Sequence, residues 1–133
     1  MEMYGPLSHS SLSSFTIDVH LLLNLIRSLD INKAHGFDQI SAWMLKVCDT
    51  SIVKPLEIIF ETSFNSGVFP SAWKKANIIP IHKKRDKMDI KNYRPISLLP
   101  ICGKLFEKVI YNTLYNYYEA NSILNVNQSG FRS

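Results

Sequence analysis

The chain has 133 residues, 46% of them hydrophobic and 20% charged, with a net charge of +4. That is about one domain in length and too apolar for a wholly disordered chain. No stretch approaches the ~18 apolar residues of a membrane helix, and Glu2 is the only charge before Asp18, so the basic start of a secretory signal is missing.

Residues 1–14 are rich in serine and contain Gly5 and Pro6, the composition of a flexible leader. Asp18 is placed to cap a helix with Val19, Leu22, Leu23 and Ile26 on one face. The run Lys33–Asp38 reads as a turn, after which Asp38 or Ser41 caps a second helix through Met44, Leu45 and Val47. A third helix is expected to about Asn65, with Ile52, Leu56, Ile59, Phe60 and Phe64 at helical spacing. Pro55 is expected near its first turn, where a missing N–H costs little, and Gly67 just past its end. Pro70 opens a short segment holding Trp73, whose ring is expected to pack against the base of a β-hairpin.

The pattern then changes. Ala76–His82 is short and rich in isoleucine, as a strand is, and Pro80 suggests an edge or a bulge. A second apolar run, Pro95–Leu99, completes the β-hairpin with a polar loop between. Gly103–Asn121 reads as a long helix with Leu105, Phe106, Val109, Ile110, Leu114, Tyr117 and Tyr118 on its apolar face. The pattern is therefore mixed α/β (α+β): N-terminal helices, a small antiparallel hairpin and a long helix. A lone hairpin is marginal in water, which suggests a piece of something larger.

Charge is concentrated in the hairpin. Between Lys74 and Arg94 there are eight basic residues against Asp86 and Asp89, a local excess of +6. Such an excess suits a polyanionic partner, although a solvated lysine-rich loop has the same composition. Lysine offers phosphate a point charge and arginine a bidentate fork, so Lys83, Lys84, Arg85, Lys87 and Arg94 are the candidate contacts. Tyr93 either stacks on a base or packs within the protein. The four histidines share no metal-ligand spacing, and no two aspartates are adjacent. Neither a metal site nor a catalytic residue is expected. Cys48 and Cys102 read as free thiols of an intracellular protein, nuclear or cytoplasmic.

Six runs carry a family resemblance: Lys33–Ile40 (KAHGFDQI), Gly67–Ala76 (GVFPSAWKKA), Ile79–Lys84 (IPIHKK), Asn92–Pro100 (NYRPISLLP), Gly103–Lys108 (GKLFEK) and Gln128–Arg132 (QSGFR). In this order and spacing they resemble the N-terminal fingers of reverse transcriptases from non-LTR retrotransposons. The resemblance implies that residues 15–133 are a partial reverse transcriptase domain, the fingers of a right-hand polymerase. That family adds deoxynucleotides to a DNA primer on an RNA template, with two magnesium ions held by palm aspartates. One of those aspartates lies beyond the QSGFR run and a pair lies later still; Asp38, Asp86 and Asp89 match neither, so the chain alone is expected to be inactive.

By resemblance, Lys83 and Arg94 grip the incoming deoxynucleotide triphosphate. Lys84, Arg85 and Lys87 contact nucleic acid, and Gln128, Gly130, Phe131 and Arg132 lie along the template. Gly130 suits a positive φ or a close approach, and Phe131 reads equally as a core anchor. Lys33 and Asp38 are expected to be structural. Many relatives have glycine at the positions of Arg85 and Gln39, and proline or a small residue at His35, so local turn shape is expected to differ. The alternative reading is a non-catalytic nucleic-acid-binding module or remnant.

Overall fold

A computed structural model describes residues 15–124 and Gly130; the expected leader, 1–14, lies outside them. Asp18 is extended and its carboxylate accepts the N–H groups of His20 and Leu21 at 2.8 and 3.2 Å, which starts helix α1, Val19–Arg27. Leu22 and Ile26 are fully buried, whereas Val19 lies beyond the edge of the core. Ser41, rather than Asp38, caps helix α2, Ala42–Val47, accepting the Met44 N–H at 3.2 Å. Asp38 instead accepts the N–H of Ile40 at 3.2 Å.

Helix α3, Asp49–Ser66, starts after the single residue Cys48. Because it starts that early, Pro55 falls in its second turn and not its first, leaving the Ser51 carbonyl without its helical donor. The buried stripe is Val53, Leu56 and Phe60; Ile59, expected on it, is exposed. The stripe is set by where α1 packs, and the sequence offers apolar residues on both sides of it. Gly67 ends the helix in the left-handed region (φ 67°), and the Val68 N–H closes back on Ser63 at 3.2 Å.

A 3-10 turn, Ser71–Lys74, carries Trp73. Its ring packs on Phe60, Phe69 and Phe106, with centroids 5.7–6.1 Å apart, and so it joins the helical core instead of the hairpin base. Strand β1, Asn77–His82, pairs antiparallel with β2, Tyr93–Leu98, in the register Ile79↔Ile96 and Pro80↔Pro95. β2 starts two residues before the expected Pro95, since pairing continues to His82↔Tyr93. The Lys83 N–H donates to the Asn92 carbonyl at 2.7 Å. Hydrogen-bonded and non-bonded pairs alternate from there, so Pro80 and Pro95 form a non-bonded pair and aim their missing N–H positions outward. No bulge is needed, and both edges of the ribbon are blunted at mid-length.

Pro100 precedes helix α4, Ile101–Ala120, which buries Ile101, Cys102, Leu105, Phe106 and Val109. Leu114, Tyr117 and Tyr118, expected on the same face, run past the core and stay half-buried or exposed. The core thus joins α1, α3 and the first half of α4, covered at one end by Phe15 stacked on Phe64. No described helix is long and apolar enough to cross a membrane.

The turn 33–38 is clamped onto the start of α4. Gly36 is buried, and a Cβ there would fall 2.5 Å from the Pro100 nitrogen and 2.7 Å from the Leu99 carbonyl carbon. Asp38 turns one carboxylate oxygen inward, buried and unpartnered. Burial, followed by the Asp38 charge, pushes the Cys102 thiol up to about 11.

Gly36→Ala is expected to destabilise the chain by about 1–3 kcal/mol, since backbone rather than a side chain must yield; urea unfolding measures this. At pH 8 a disulfide-exchange reagent should titrate exposed Cys48 quickly and Cys102 only after unfolding. Two equally fast thiols would contradict the buried position of Cys102.

Candidate nucleic-acid interface

The loop 83–92 is built on hydrogen bonds from side chains to backbone. Asp86 accepts the Met88 N–H at 2.9 Å, and Asp89 accepts the Lys91 N–H at 3.0 Å. Asn92 Nδ2 donates to the Asp86 carbonyl at 2.7 Å, and the Tyr93 hydroxyl donates to the Lys87 carbonyl at 2.9 Å. His82 Nε2 lies 3.1 Å from the Arg85 carbonyl oxygen. Both carboxylates are therefore used to hold turns. The two ion pairs among the described residues, Arg27–Asp49 and Lys54–Glu57, are both on the helices. Neither Asp86 nor Asp89 pairs with a cation there, so the local positive charge is left facing solvent.

Register decides which cations share a face. Ile81 opposes Arg94, and Lys83 opposes Asn92 one bonded pair further on. Side chains two apart along a strand point the same way, so Lys83 and Arg94 stand diagonally on one face. Together with Ile81, His82, Lys84, Arg85, Lys91 and Asn92 they line an open hollow of about 660 Å³. Four of the five expected hairpin contacts, Lys83, Lys84, Arg85 and Arg94, are thus brought together; Lys87 does not line the hollow. Lys91 does, and sequence reading did not single it out. Its only signal was membership of the basic run, because no motif marks it and its place depends on the 3-10 turn Ile90–Asn92.

Tyr93 takes the packing alternative: its hydroxyl is bound to the loop and its ring meets His82 edge-on at 5.3 Å. Gln128, Phe131 and Arg132 lie outside the described residues. Gly130 is exposed, and an added Cβ would meet nothing within 4 Å among the described residues.

The departures at Arg85 and Gln39 have a structural counterpart. Arg85 has φ 70° and Gln39 φ 58°, both in the left-handed region. The turns keep the shape that glycine would allow, and the side chains accept the steric cost. This corrects the expectation that arginine would reshape the tip. Among the described residues no three His, Cys, Asp or Glu side chains gather as a metal site.

No family model matches the chain. Among curated proteins, the RNA-directed DNA polymerase from mobile element jockey of Drosophila melanogaster is 35% identical over 123 residues, 92% of this chain and 13% of that protein. The probable RNA-directed DNA polymerase from transposon BS of the same fly is 34% identical over 117 residues, 87% of this chain and 13% of its own length. That from transposon X-element is 35% identical over 103 residues, 77% and 11%. The chain spans 11–13% of the length of these curated relatives.

Arg85→Gly should raise stability by about 0.5–1 kcal/mol, because glycine adopts φ 70° without the Cβ clash. Thermal unfolding is the measurement, and a destabilised variant would contradict the left-handed assignment.

Proposed function

The chain is homologous to a segment of the RNA-directed DNA polymerases of non-LTR retrotransposons, and from that premise we propose that it forms the fingers that grip the incoming nucleotide and the template. The observation that carries this reading is the cationic hollow: Lys83, Lys84, Arg85, Lys91 and Arg94 converge without an acidic partner among the described residues. Unneutralised cations on a fixed backbone lose little on meeting phosphate, because no ion pair has to break first.

Lys83 and Arg94 would take the triphosphate of a deoxynucleotide. The ammonium acts as a mobile point charge and the guanidinium as a planar fork, on one face of the ribbon. Lys84, Arg85 and Lys87 would hold the sugar–phosphate backbone, and Gln128, Gly130, Phe131 and Arg132 would track the RNA template beside its DNA primer. Magnesium is implied for the complete polymerase, but the described residues offer no ligand set that fits it. Phosphoryl transfer is therefore not assigned to this chain; its own residues bind and orient phosphate.

Binding to an RNA–DNA hybrid should weaken steeply with added salt, as counterion release requires. Lys83→Glu/Lys84→Glu/Arg85→Glu should abolish that binding in a fluorescence-anisotropy titration; unchanged affinity would overturn the reading. Primer extension by the chain alone is expected to be nil with any divalent metal, and template-dependent products would contradict the division of labour.

A further inference from the structure

Two large apolar side chains stand out by exposure at the end of the basic loop. Met88 is 91% exposed and Ile90 84%, while no other large hydrophobic residue among those described exceeds 63%. A scattered exposed methionine needs no explanation. These two sit two residues apart, at the far end of a ribbon that carries the chain's excess positive charge. Their backbone is also held in place. The Met88 N–H is bound by Asp86, Ile90 opens the 3-10 turn that Asp89 caps, and the Lys87 carbonyl is held by the Tyr93 hydroxyl. The tip therefore presents apolar side chains from a fixed frame, with Lys87 and Lys91 as flanking cations.

We propose that Met88 and Ile90 form an apolar wedge that packs against the face of an unpaired nucleobase while the flanking cations hold its phosphates. The inference rests on the nucleic-acid reading above and adds a base-contacting element to it. Aliphatic side chains of this kind, isoleucine and methionine among them, insert against unstacked base faces, and every base offers such a face regardless of sequence. A membrane with anionic headgroups also favours apolar groups beside lysines. Of the flanking cations, however, Lys91 lines the same hollow as Lys83, Lys84, Arg85 and Arg94, and a concave set of cations suits a strand's backbone better than a flat lipid surface.

The test uses the full chain and an RNA–DNA hybrid with a single-stranded template overhang, 2-aminopurine occupying its first unpaired position. Met88→Ser/Ile90→Ser should bind the overhang about tenfold more weakly and lose the 2-aminopurine emission change. Its affinity for the blunt hybrid and its salt dependence should stay as in the unsubstituted chain. Met88→Leu/Ile90→Val should restore both readouts. Equal loss on blunt and overhanging hybrids, or no loss on either, would overturn the wedge. So would binding to phosphatidylserine vesicles that the serine variant loses while its nucleic-acid affinity is unchanged. Should the unsubstituted chain bind neither hybrid, the phosphate-binding reading itself fails; should it bind both and lose both only on charge reversal, that reading stands and the wedge alone falls.

Discussion

The β-hairpin hangs from the aromatic cluster around Phe60. Its ring is fully buried and meets Phe106 at 4.8 Å and Trp73 at 5.7 Å, while Phe69 closes the group against Phe106. The three elements involved are α3, the 3-10 turn before β1 and the helix after β2. The ribbon leaves the core directly after Trp73 and returns to it directly before Ile101, so one cluster fixes both of its ends. Burying Phe60 and its neighbours supplies several kcal/mol, whereas the ribbon buries almost nothing of its own. An extended, nearly unburied hairpin can persist in this setting because its roots are rigid. The Gly36 clamp on Pro100 secures the returning end a second time.

The loop at the far end obeys a different logic. Its two aspartates lie within reach of many cations in sequence, and simple charge counting would spend them on salt bridges. They instead satisfy backbone N–H groups, giving the loop its shape. The result is a loop whose backbone hydrogen bonds do not depend on neutralising its own charge. An element stabilised by internal ion pairs would have to exchange them for phosphate; this one presents its cations already free among the described residues.

Local chemistry made much of the fold legible from sequence. Asp18, Ser41 and Gly67 mark helix boundaries by mechanisms confined to a few neighbouring residues, and each does so in the structure. Short apolar runs, one rich in isoleucine, mark the hairpin, and the charge run marks its tip. What failed depended on distant partners. The apolar side of α3 is ambiguous from periodicity alone, because Ile52, Val53, Ile58 and Ile59 allow more than one stripe; packing against α1 selects Val53. The apolar face of α4 runs further in sequence than the core does, since sequence does not show where its neighbours end. Trp73 meets Phe60, Phe69 and Phe106 instead of the hairpin base for the same reason. In the site, Lys83 and Arg94 emerge from motif and register, but Lys91 depends on a three-residue turn that composition does not reveal.

Arg85 draws these strands together. Its backbone occupies a region that favours a residue without a side chain, and its own side chain is one of the cations around the hollow. Under the proposed phosphate-binding role, robustness and polyanion affinity are set against each other at a single codon. A lineage screened for thermal endurance alone would drift toward glycine there and lose a charge with each success, while one screened for grip would keep the strained arginine.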